Sequence, residues 1–522
     1  MDPSFGNASR RRFLKLGLTG GLLLTAAPLA RLAGFGVHSP SKLPVRFSTP
    51  LPIPPVLEPF RVDETGVHYA LEQREDVAHL FPGQATRIWG YNGLFPGPTI
   101  RARRGVPAHV HHTNHLSTPT VVHLHGGRTP ADSDGFPNDF VIPRGFSAAD
   151  FPICGTSNPD SLKKLQDFAS SATYTYPNDQ RAATLWYHDH AMGGTGKNVY
   201  MGLAGFYLID DEEASALQLP AGAFDVPLMI CTRQFDDAGQ LVYADHGKRG
   251  ASGDTVLVNG APWPVFRVER RRYRFRLLNA CNATTLTLAL SEGSMTLIAT
   301  DGGLVEQPLS LDTLPLAMAE RADVVIDFSR YPAGQQVMLH NREALGTLGD
   351  ILRFEVTEAT GTDDSAVPAK LTAIAPLTPP KGARERSFVF GARPEFVLRV
   401  PPIYWSINGQ RFDPERVDAD PVLGDVEVWR FIYARTMFPT SVHPAHIHAV
   451  QFQILTRNGE PPAPHERGWK DTVRLVEGDD VRVAVRFDAY PGRYLLHCHN
   501  LEHEDHDMMA RFDIRPAAQN PV

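Results

Sequence analysis

Short runs in which apolar and polar residues alternate fill most of the chain after about residue 45. Residues 273–279 and 322–328 are two of them, and Asn-Gly, Pro-Gly or single-glycine turns interrupt such runs at intervals of roughly ten residues. A period of two places apolar side chains on one face of a half-buried strand, and frequent turns are typical of β-sandwiches and barrels. Helical periodicity is scarce, with one short helix predicted at residues 160–168. The pattern therefore predicts an all-β protein.

The strand-and-turn pattern occurs three times along a chain of 522 residues. This length is too great for one compact domain, because single domains average about 150 residues. We place three successive β domains at residues 45–212, 224–357 and 385–518. Residues 358–384 are rich in Thr, Pro and Ala and have little to bury, so we interpret them as a linker.

The N-terminus has the composition of an export signal. Residues 9–15 read Ser-Arg-Arg-Arg-Phe-Leu-Lys, and an apolar run broken by glycines follows at residues 16–30. Paired arginines before Phe-Leu-Lys are typical of twin-arginine signals, and the apolar run falls short of the ~20 residues of a transmembrane span. We interpret residues 1–36 as a twin-arginine signal peptide, with retention as an anchor left open. The expected location is periplasmic or secreted, after passage through the twin-arginine export machinery, and no other membrane span is predicted.

The charge balance excludes one class of partner. Lys and Arg number 51 against 58 Asp and Glu, and no basic run occurs outside the N-terminus. Nucleic-acid binding requires concentrated positive charge, so no nucleic-acid partner is expected. Small molecules are the expected partners of a chain that we predict to be a monomer.

The last histidine motif combines a thiol, imidazoles and a thioether at short spacing. Successive side chains on a strand point to opposite faces, so His497 and His499 share one face and Cys498 has the other. Cys498, His503 and Met508, with one further His, would make up the ligand set of a blue-copper electron-transfer site. One tripeptide can therefore serve two metal sites.

Three further cysteines remain, Cys154, Cys231 and Cys281. In an exported protein two of them could form a disulfide. Cys231 and Cys281 both lie in apolar, strand-like runs, where small buried thiols are at least as common. No pairing is predicted.

Four His-x-His motifs place pairs of imidazoles on strand faces. The pairs are His123 and His125, His188 and His190, His446 and His448, and His497 and His499. One pair alone would be interpreted as solvated side chains on a strand. We interpret the unmatched histidines of residues 109–115 as part of a structural or surface strand. Neutral imidazole suits copper, and eight nitrogen ligands without carboxylates argue against calcium, magnesium or structural zinc. The four pairs together predict a copper site at which eight imidazoles converge.

The motifs His-x-His-Gly, His-x-His, His-Pro-x-His-x-His and His-Cys-His-x3-His-x4-Met occur here in the order seen in multicopper oxidases, and the chain resembles that family. Residues 497–509 and 468–473 are most similar to its CotA-like bacterial laccase and bilirubin oxidase branches. The resemblance implies three consecutive cupredoxin-like domains, each a Greek-key β-sandwich or barrel. Copper would lie where the first and third domains meet.

The resemblance also implies four copper ions per chain, with every ligand position filled. The type 1 copper would be held by His443, Cys498, His503 and the weak axial ligand Met508. The type 2 copper would be held by His123 and His446. The type 3 pair would be held by His125, His188, His190, His448, His497 and His499.

The same resemblance implies an oxidase reaction. Electrons from a phenol, an aromatic amine or a bilirubin-type substrate would enter one at a time at the type 1 copper and pass through Cys498 to the trinuclear cluster, where four of them reduce dioxygen to water. Water formation consumes protons, and Glu504 and Asp134 stand where related laccases have acids implicated in proton relay. Each could instead be a solvated carboxylate or orient a histidine. We favour the relay role more strongly for Glu504, because it directly follows the ligand His503.

Two other functions stay open. One is a metallo-oxidase acting on cuprous or ferrous ions. Periplasmic cuprous oxidases of the superfamily carry a Met-rich segment, whereas the ten Met of this chain are spread out apart from Met508 and Met509. Copper-free relatives with a structural role in the envelope have lost ligands, whereas this chain keeps all twelve. Both functions are therefore less favoured than a laccase-like oxidase.

Overall fold

β-Strands dominate the computed structural model. It describes residues 43–81, 83–146, 170–246, 250–344, 346–394, 403–434 and 442–517. The predicted signal peptide at residues 1–36, the predicted helix at residues 160–168 and Cys154 lie outside the described residues. In the part of the chain that is described, no helix has the length and apolar character needed to cross a bilayer.

The first third of the chain forms two sheets around one core. Its strands are β1 (Arg61–Asp63), β2 (Gly66–Phe81), β3 (Gln84–Tyr91), β4 (Gly97–Arg103), β5 (Ala108–Asn114), β6 (Val122–His125), β7 (Ser171–Tyr176), β8 (Ala183–Asp189) and β9 (Ala204–Asp210), with helices α1 (Thr195–Met201) and α2 (Glu212–Ala216). One sheet has the order β1-β2-β5-β7 with β3 beside β2, and the other has the order β4-β9-β8-β6. Apolar residues from both sheets, such as Leu71, Val110, Leu185 and Tyr207, are buried together.

The middle third repeats this arrangement with more strands. They are β10 (Asp225–Arg233), β11 (Thr255–Val258), β12 (Ala261–Pro262), β13 (Val265–Glu269), β14 (Arg272–Asn279), β15 (Leu286–Leu290), β16 (Met295–Thr300), β17 (Gly303–Leu311), β18 (Leu314–Leu316), β19 (Arg321–Asp327), β20 (Gln336–Asn341) and β21 (Asp350–Thr357). The sheets have the orders β12-β11-β10-β14-β19-β16-β17 and β13-β21-β20-β15-β18. Phe275, Val324 and Phe354 lie in the core between them.

The last third contains both final histidine motifs. Its elements are β22 (Glu385–Pro394), β23 (Ile403–Ile407), β24 (Val426–Tyr433), β25 (His443–Ile447), β26 (Phe452–Arg457), β27 (Thr472–Leu475), β28 (Asp480–Arg486), β29 (Gly492–Cys498), helix α3 (Leu501–Asp505) and β30 (Met509–Ile514). The sheets have the orders β23-β22-β24-β28-β26 and β27-β25-β29-β30. Trp429, Phe431 and Val483 pack in the core with Cys498 and Met508.

Short and irregular segments join these sheets. The 3-10 turns in the described residues are Ala131–Ser133, Gly222–Phe224, Phe328–Arg330, Gly346–Leu348 and Pro464–Glu466. Residues 358–384, the predicted linker, contain neither helix nor strand. The exact domain boundaries given above stay a prediction.

The expectation of half-buried strands is wrong for β14, whose polar face is buried as well. Arg276 forms a two-point ion pair with Asp225, and Arg274 pairs with Asp323. Arg276 also donates to the Thr184 hydroxyl of β8, in the first third of the chain. A neighbouring part of the protein therefore covers the face that alternation alone would expose to water.

Cys231 and Cys281 are free, buried thiols. Both pack with Trp186, Phe206 and Leu278 where β8, β9, β10 and β14 meet. Burial raises the pKa of both thiols above the usual value for cysteine. The sequence left open a disulfide or small buried thiols. In the structure, Cys231 and Cys281 are small buried thiols.

Candidate copper centres

Two antiparallel strand pairs carry most of the predicted ligands. β6 pairs with β8 so that His123 lies opposite His188, and β25 pairs with β29 so that His446 lies opposite His497. Side chains of directly opposed residues lie on the same face of a sheet and within contact distance. Strand pairing therefore brings imidazoles from separate motifs together.

Cys498 lies on the other face of β29 and meets two imidazoles there. Its Sγ is 3.4 Å from His443 Nδ1 and 3.6 Å from His503 Nδ1, and the two nitrogens are 3.1 Å apart. The Asn500 side chain caps α3 by accepting the backbone N–H of His503, which directs this helix back toward Cys498. Met508 is buried in the same core. The structure thus brings together the predicted type 1 thiolate and both of its imidazoles.

The predicted type 2 and type 3 ligands form a second, buried cluster. The Nε2 atoms of His448 and His190 lie 3.0 and 3.4 Å from His497 Nε2. The Nε2 atoms of His123 and His446 are 3.5 Å apart. Two of these pairs join a histidine of the first third of the chain to one of the last third. The other pair, His448 and His497, joins two motifs within the last third.

The remaining three cluster histidines, His125, His188 and His499, have ring centroids between 4.9 and 5.8 Å apart. All three are almost completely shielded from solvent. His188 Nε2 and both ring nitrogens of His499 are buried without a hydrogen-bond partner. Buried polar atoms are rarely left unpaired, so His188 Nε2 and one nitrogen of His499 have the character of ligand atoms, while the other nitrogen of His499 carries the ring proton.

Burial makes three of these imidazoles neutral bases. Burial lowers the pKa of His188 to about 3, that of His190 to about 4 and that of His443 to about 3. Neutral imidazole binds a transition metal through its unprotonated nitrogen, so proton release is not needed for these rings.

The spacing of these nitrogens fits a metal ion between them. Nitrogens held at about 2.0–2.1 Å from a tetrahedral metal are ~3.3 Å apart, close to the 3.0–3.5 Å observed between Nε2 atoms in the cluster. Imidazole with thiolate and thioether on one side, and imidazole alone on the other, are donor sets that suit copper. The residues present therefore fit the expected metal.

Asp134 contacts two cluster histidines at their outer nitrogens. Its carboxylate accepts from His448 Nδ1 at 2.7 Å, and its backbone carbonyl accepts from His123 Nδ1 at 2.6 Å. Burial raises the pKa of this carboxyl well above its ordinary value. A proton on each Nδ1 leaves Nε2 of both rings free for the metal.

Glu504 lies close to the outer nitrogens of two other rings. Its Oε2 lies 3.1 Å from His497 Nδ1 and its Oε1 lies 3.4 Å from His190 Nδ1. Burial opposes ionisation of this carboxyl, but the His190 and His497 rings outweigh it and lower its pKa to about 2. Both acids identified in the sequence are therefore placed against histidines of the buried cluster.

Comparison with known proteins decides the family. Sequence profiles described as multicopper oxidase match residues 74–149 with 166–214, residues 234–357, and residues 378–518. A laccase of Bacillus stratosphericus is 36% identical, over 90% of this chain and 99% of that protein. The chain belongs to the multicopper oxidases.

Other relatives of this multicopper oxidase agree. The bilirubin oxidase of Albifimbria verrucaria is 36% identical, over 90% of this chain and 81% of that protein. The crystal structure of a multi-copper oxidase from Pediococcus acidilactici superposes with a TM-score of 0.80 at 30% identity, covering 93% of this chain and 95% of that one. The predicted family, the all-β fold of three cupredoxin-like domains and an oxidoreductase that uses dioxygen are confirmed.

Two residues that contact the histidines of this multicopper oxidase were not singled out from the sequence. Asp471 Oδ1 lies 3.1 Å from His125 Nε2, and sequence reasoning used Asp471 only as part of the motif at residues 468–473. The ring of Trp405 lies 3.7 Å from that of His503. Their signal was weak, because an Asp or a Trp beside a strand is common in proteins that bind no metal.

The histidines of residues 109–115 lie apart from both centres. Among the described residues, none of them belongs to a group of side chains close enough to share a metal ion. His109 and His111 bond to hydroxyls of the neighbouring strand β7, and His112 packs in the core against Tyr91 and Tyr174. Alternation on β5 therefore divides this run between surface and core.

Proposed function

We propose that this multicopper oxidase is a laccase- or bilirubin oxidase-like enzyme that oxidises phenols, aromatic amines or bilirubin-type substrates and reduces dioxygen to water. The observation that carries the proposal is Cys498, which faces His443 and His503 while its two neighbours in sequence face the imidazole cluster. The names of two relatives, a laccase and a bilirubin oxidase, support the substrate class.

We assign four copper ions to the two centres. The type 1 ion takes His443, Cys498, His503 and Met508. The type 2 ion takes His123 and His446. The type 3 pair takes His125, His188, His190, His448, His497 and His499. Copper, when bound, supplies one-electron oxidation at the first centre and the four-electron reduction of dioxygen at the second.

The protein contributes a short path between the centres. The peptide bonds on either side of Cys498 join the thiol to His497 and His499 without a break in the covalent chain. Antiparallel pairing with β25 and β30 keeps this stretch extended, so the thiol and the two imidazoles stay on opposite faces. Electrons therefore need not cross a gap between separate elements.

Dioxygen reduction to two water molecules also takes up four protons. Glu504 and Asp134 are two carboxylates placed against cluster imidazoles, with Glu504 close to His497 and His190, and Asp134 on His448. The Asp134 carboxyl is hydrogen-bonded to Nδ1 of His448, and the Glu504 carboxylate lies close to Nδ1 of His497 and of His190. We assign to both the orientation of these rings, and to Glu504 first the delivery of protons.

Copper loading and oxygen uptake test the function. The copper-reconstituted protein should show the blue thiolate-to-copper absorption band and consume oxygen with phenols, aromatic amines or bilirubin. Uptake restricted to Cu(I) or Fe(II) would favour a metallo-oxidase instead. A protein that binds no copper would point to a structural relative, although all twelve ligand positions are filled.

We also propose that twin-arginine export delivers the protein to the periplasm or the outside of the cell, as a monomer. The paired arginines Arg11 and Arg12 before Phe13-Leu14-Lys15 support this. Replacing both arginines with lysine should retain the protein in the cytoplasm, as cell fractionation would show. Sedimentation equilibrium of the exported protein tests the monomer.

A further inference from the structure

Arg321, the first residue of β19, is completely buried in an ion pair with Asp471. Its Nη1 lies 2.7 Å from Asp471 Oδ1 and its Nη2 lies 2.5 Å from Oδ2, a two-point contact. It also donates to the backbone carbonyls of Thr184 at 3.0 Å, Ala319 at 3.0 Å and Asp301 at 3.1 Å. All five N–H groups of the guanidinium are thereby used, and the contacts come from all three thirds of the chain.

Asp471 in turn contacts two cluster histidines. Its Oδ1 accepts from His125 Nε2 at 3.1 Å, and its backbone carbonyl accepts from His446 Nδ1 at 2.9 Å. The two rings stack, with centroids 3.7 Å apart. One residue therefore holds a histidine of β6 and a histidine of β25 side by side.

The direction of the hydrogen bond determines which nitrogen of His125 is free. A carboxylate that is paired with an arginine can only accept, so the proton of the ring lies on Nε2. His125 Nδ1 is buried and has no hydrogen-bond partner. This ring therefore presents Nδ1 as its ligand atom, while His123 and His446 present Nε2.

Gly126 makes room for the ion pair. A Cβ atom at this position would lie 2.6 Å from Arg321 Nη2 and 2.7 Å from Asp471 Oδ2, and φ is +82°, a conformation that favours glycine. The glycine that follows the first His-x-His motif thus allows the charged groups to approach the backbone beside His125.

We propose that Arg321 and Asp471 are positioning residues for the trinuclear cluster. The middle third of the chain supplies none of the twelve assigned ligands. Through the pair of Arg321 with Asp471, it nevertheless sets the orientation of His125 and His446. The inference rests on the proposed copper ligation by these two histidines. It adds a role for two residues that bind no copper themselves.

Asp471→Asn is the decisive variant. The amide of this variant has one acceptor oxygen and one NH2 group. The NH2 group must face either an N–H of Arg321 or Nε2 of His125, and in both cases two hydrogen-bond donors oppose each other. The carboxylate can no longer serve both. Loss of such an orienting partner costs about 10- to 100-fold in metal affinity, and we expect this loss for cluster copper, measured by competition with a chelator. The EPR signal of the type 2 copper should change, while the blue band per chain is kept.

Asp225→Asn is the matched control. Asp225 is also buried in a two-point pair, with Arg276 Nε at 2.7 Å and Nη2 at 2.9 Å, and Asp225 contacts none of the assigned ligands in the described structure. Its replacement should lower the melting temperature of the metal-free protein but leave cluster-copper affinity and the type 2 EPR signal at wild-type values.

Arg321→Lys provides a second test of the positioning role if Asp471→Asn does not accumulate as folded protein. Lysine keeps the charge but cannot hold both carboxylate oxygens, so a smaller loss of cluster-copper affinity is expected. Wild-type affinity and an unchanged EPR signal in either variant, with only a lower melting temperature, would overturn the positioning role. If the wild-type protein itself binds no copper, the proposed function fails instead.

Discussion

The Glu504 carboxylate lies 3.1 Å from His497 Nδ1 and 3.4 Å from His190 Nδ1. Glu504→Gln keeps the size of the side chain but leaves one acceptor oxygen, and the NH2 group must then face one of the two rings. A buried hydrogen bond to a charged group contributes about 1.5–3 kcal/mol. We therefore expect oxygen reduction to slow by about 10- to 100-fold.

Stopped-flow spectroscopy separates the two halves of the reaction. Anaerobic reduction of the blue band by a phenol should be as fast in Glu504→Gln as in the wild type, because the Glu504 carboxylate lies against His190 and His497 of the imidazole cluster. Reoxidation of the reduced protein by dioxygen should be slow. The pKa of Glu504 is lowered to about 2, since His190 and His497 outweigh the effect of burial. The ratio of wild-type to variant rates should therefore stay constant between about pH 4 and 8.

Glu502→Gln is the matched control for this experiment. Glu502 lies on the same helix α3 and is equally buried, but it accepts from Asn282 Nδ2 at 2.8 Å and from the Tyr243 hydroxyl at 3.2 Å rather than from a cluster histidine. Its replacement should leave reoxidation close to the wild-type rate. Equal slowing in both variants, or wild-type reoxidation in Glu504→Gln, would refute the reasoning.

Three further outcomes are expected. Cys498→Ser should abolish both the blue band and oxygen uptake, and a band that persisted would contradict the type 1 assignment. Trp405→Ala should lower the free energy of unfolding of the metal-free protein by about 3–5 kcal/mol, because the indole is buried with its ring centroid 3.7 Å from that of His503; an unchanged urea midpoint would disprove this. Burial raises the pKa of Asp225, but Arg276 outweighs it and the pKa is lowered to about 2. The metal-free wild type should therefore lose about 2 kcal/mol of stability as the pH falls from about 4 to below 2, a loss absent from Asp225→Asn in urea unfolding.

The strands show how much of the structure the local alternation of apolar and polar residues can predict. Alternation predicted a strand at residues 273–279, and β14 covers Arg272–Asn279. It also predicted that one face would meet water, whereas Arg276 is buried against Asp225 and the Thr184 hydroxyl. Alternation shows which side chains share a face, but the element that covers the second face comes from elsewhere in the chain.

The orienting contacts of the histidines illustrate the same limit. Asp134 and Glu504 were found from the sequence because they lie in recognisable motifs. The contact between His125 and Asp471 joins residues 346 positions apart, and it depends on Arg321 from the middle third of the chain. No periodicity connects these three positions, so only packing reveals that they meet.

The sequence by itself determined the supply of ligands and the face on which each lies, because a strand turns successive side chains to opposite sides wherever it occurs. His497, Cys498 and His499 are therefore divided between two centres by local geometry alone. The tertiary structure decided which histidines converge, which nitrogen of His125 stays unprotonated and how the middle third takes part, since these depend on strand pairing and buried charges between distant residues.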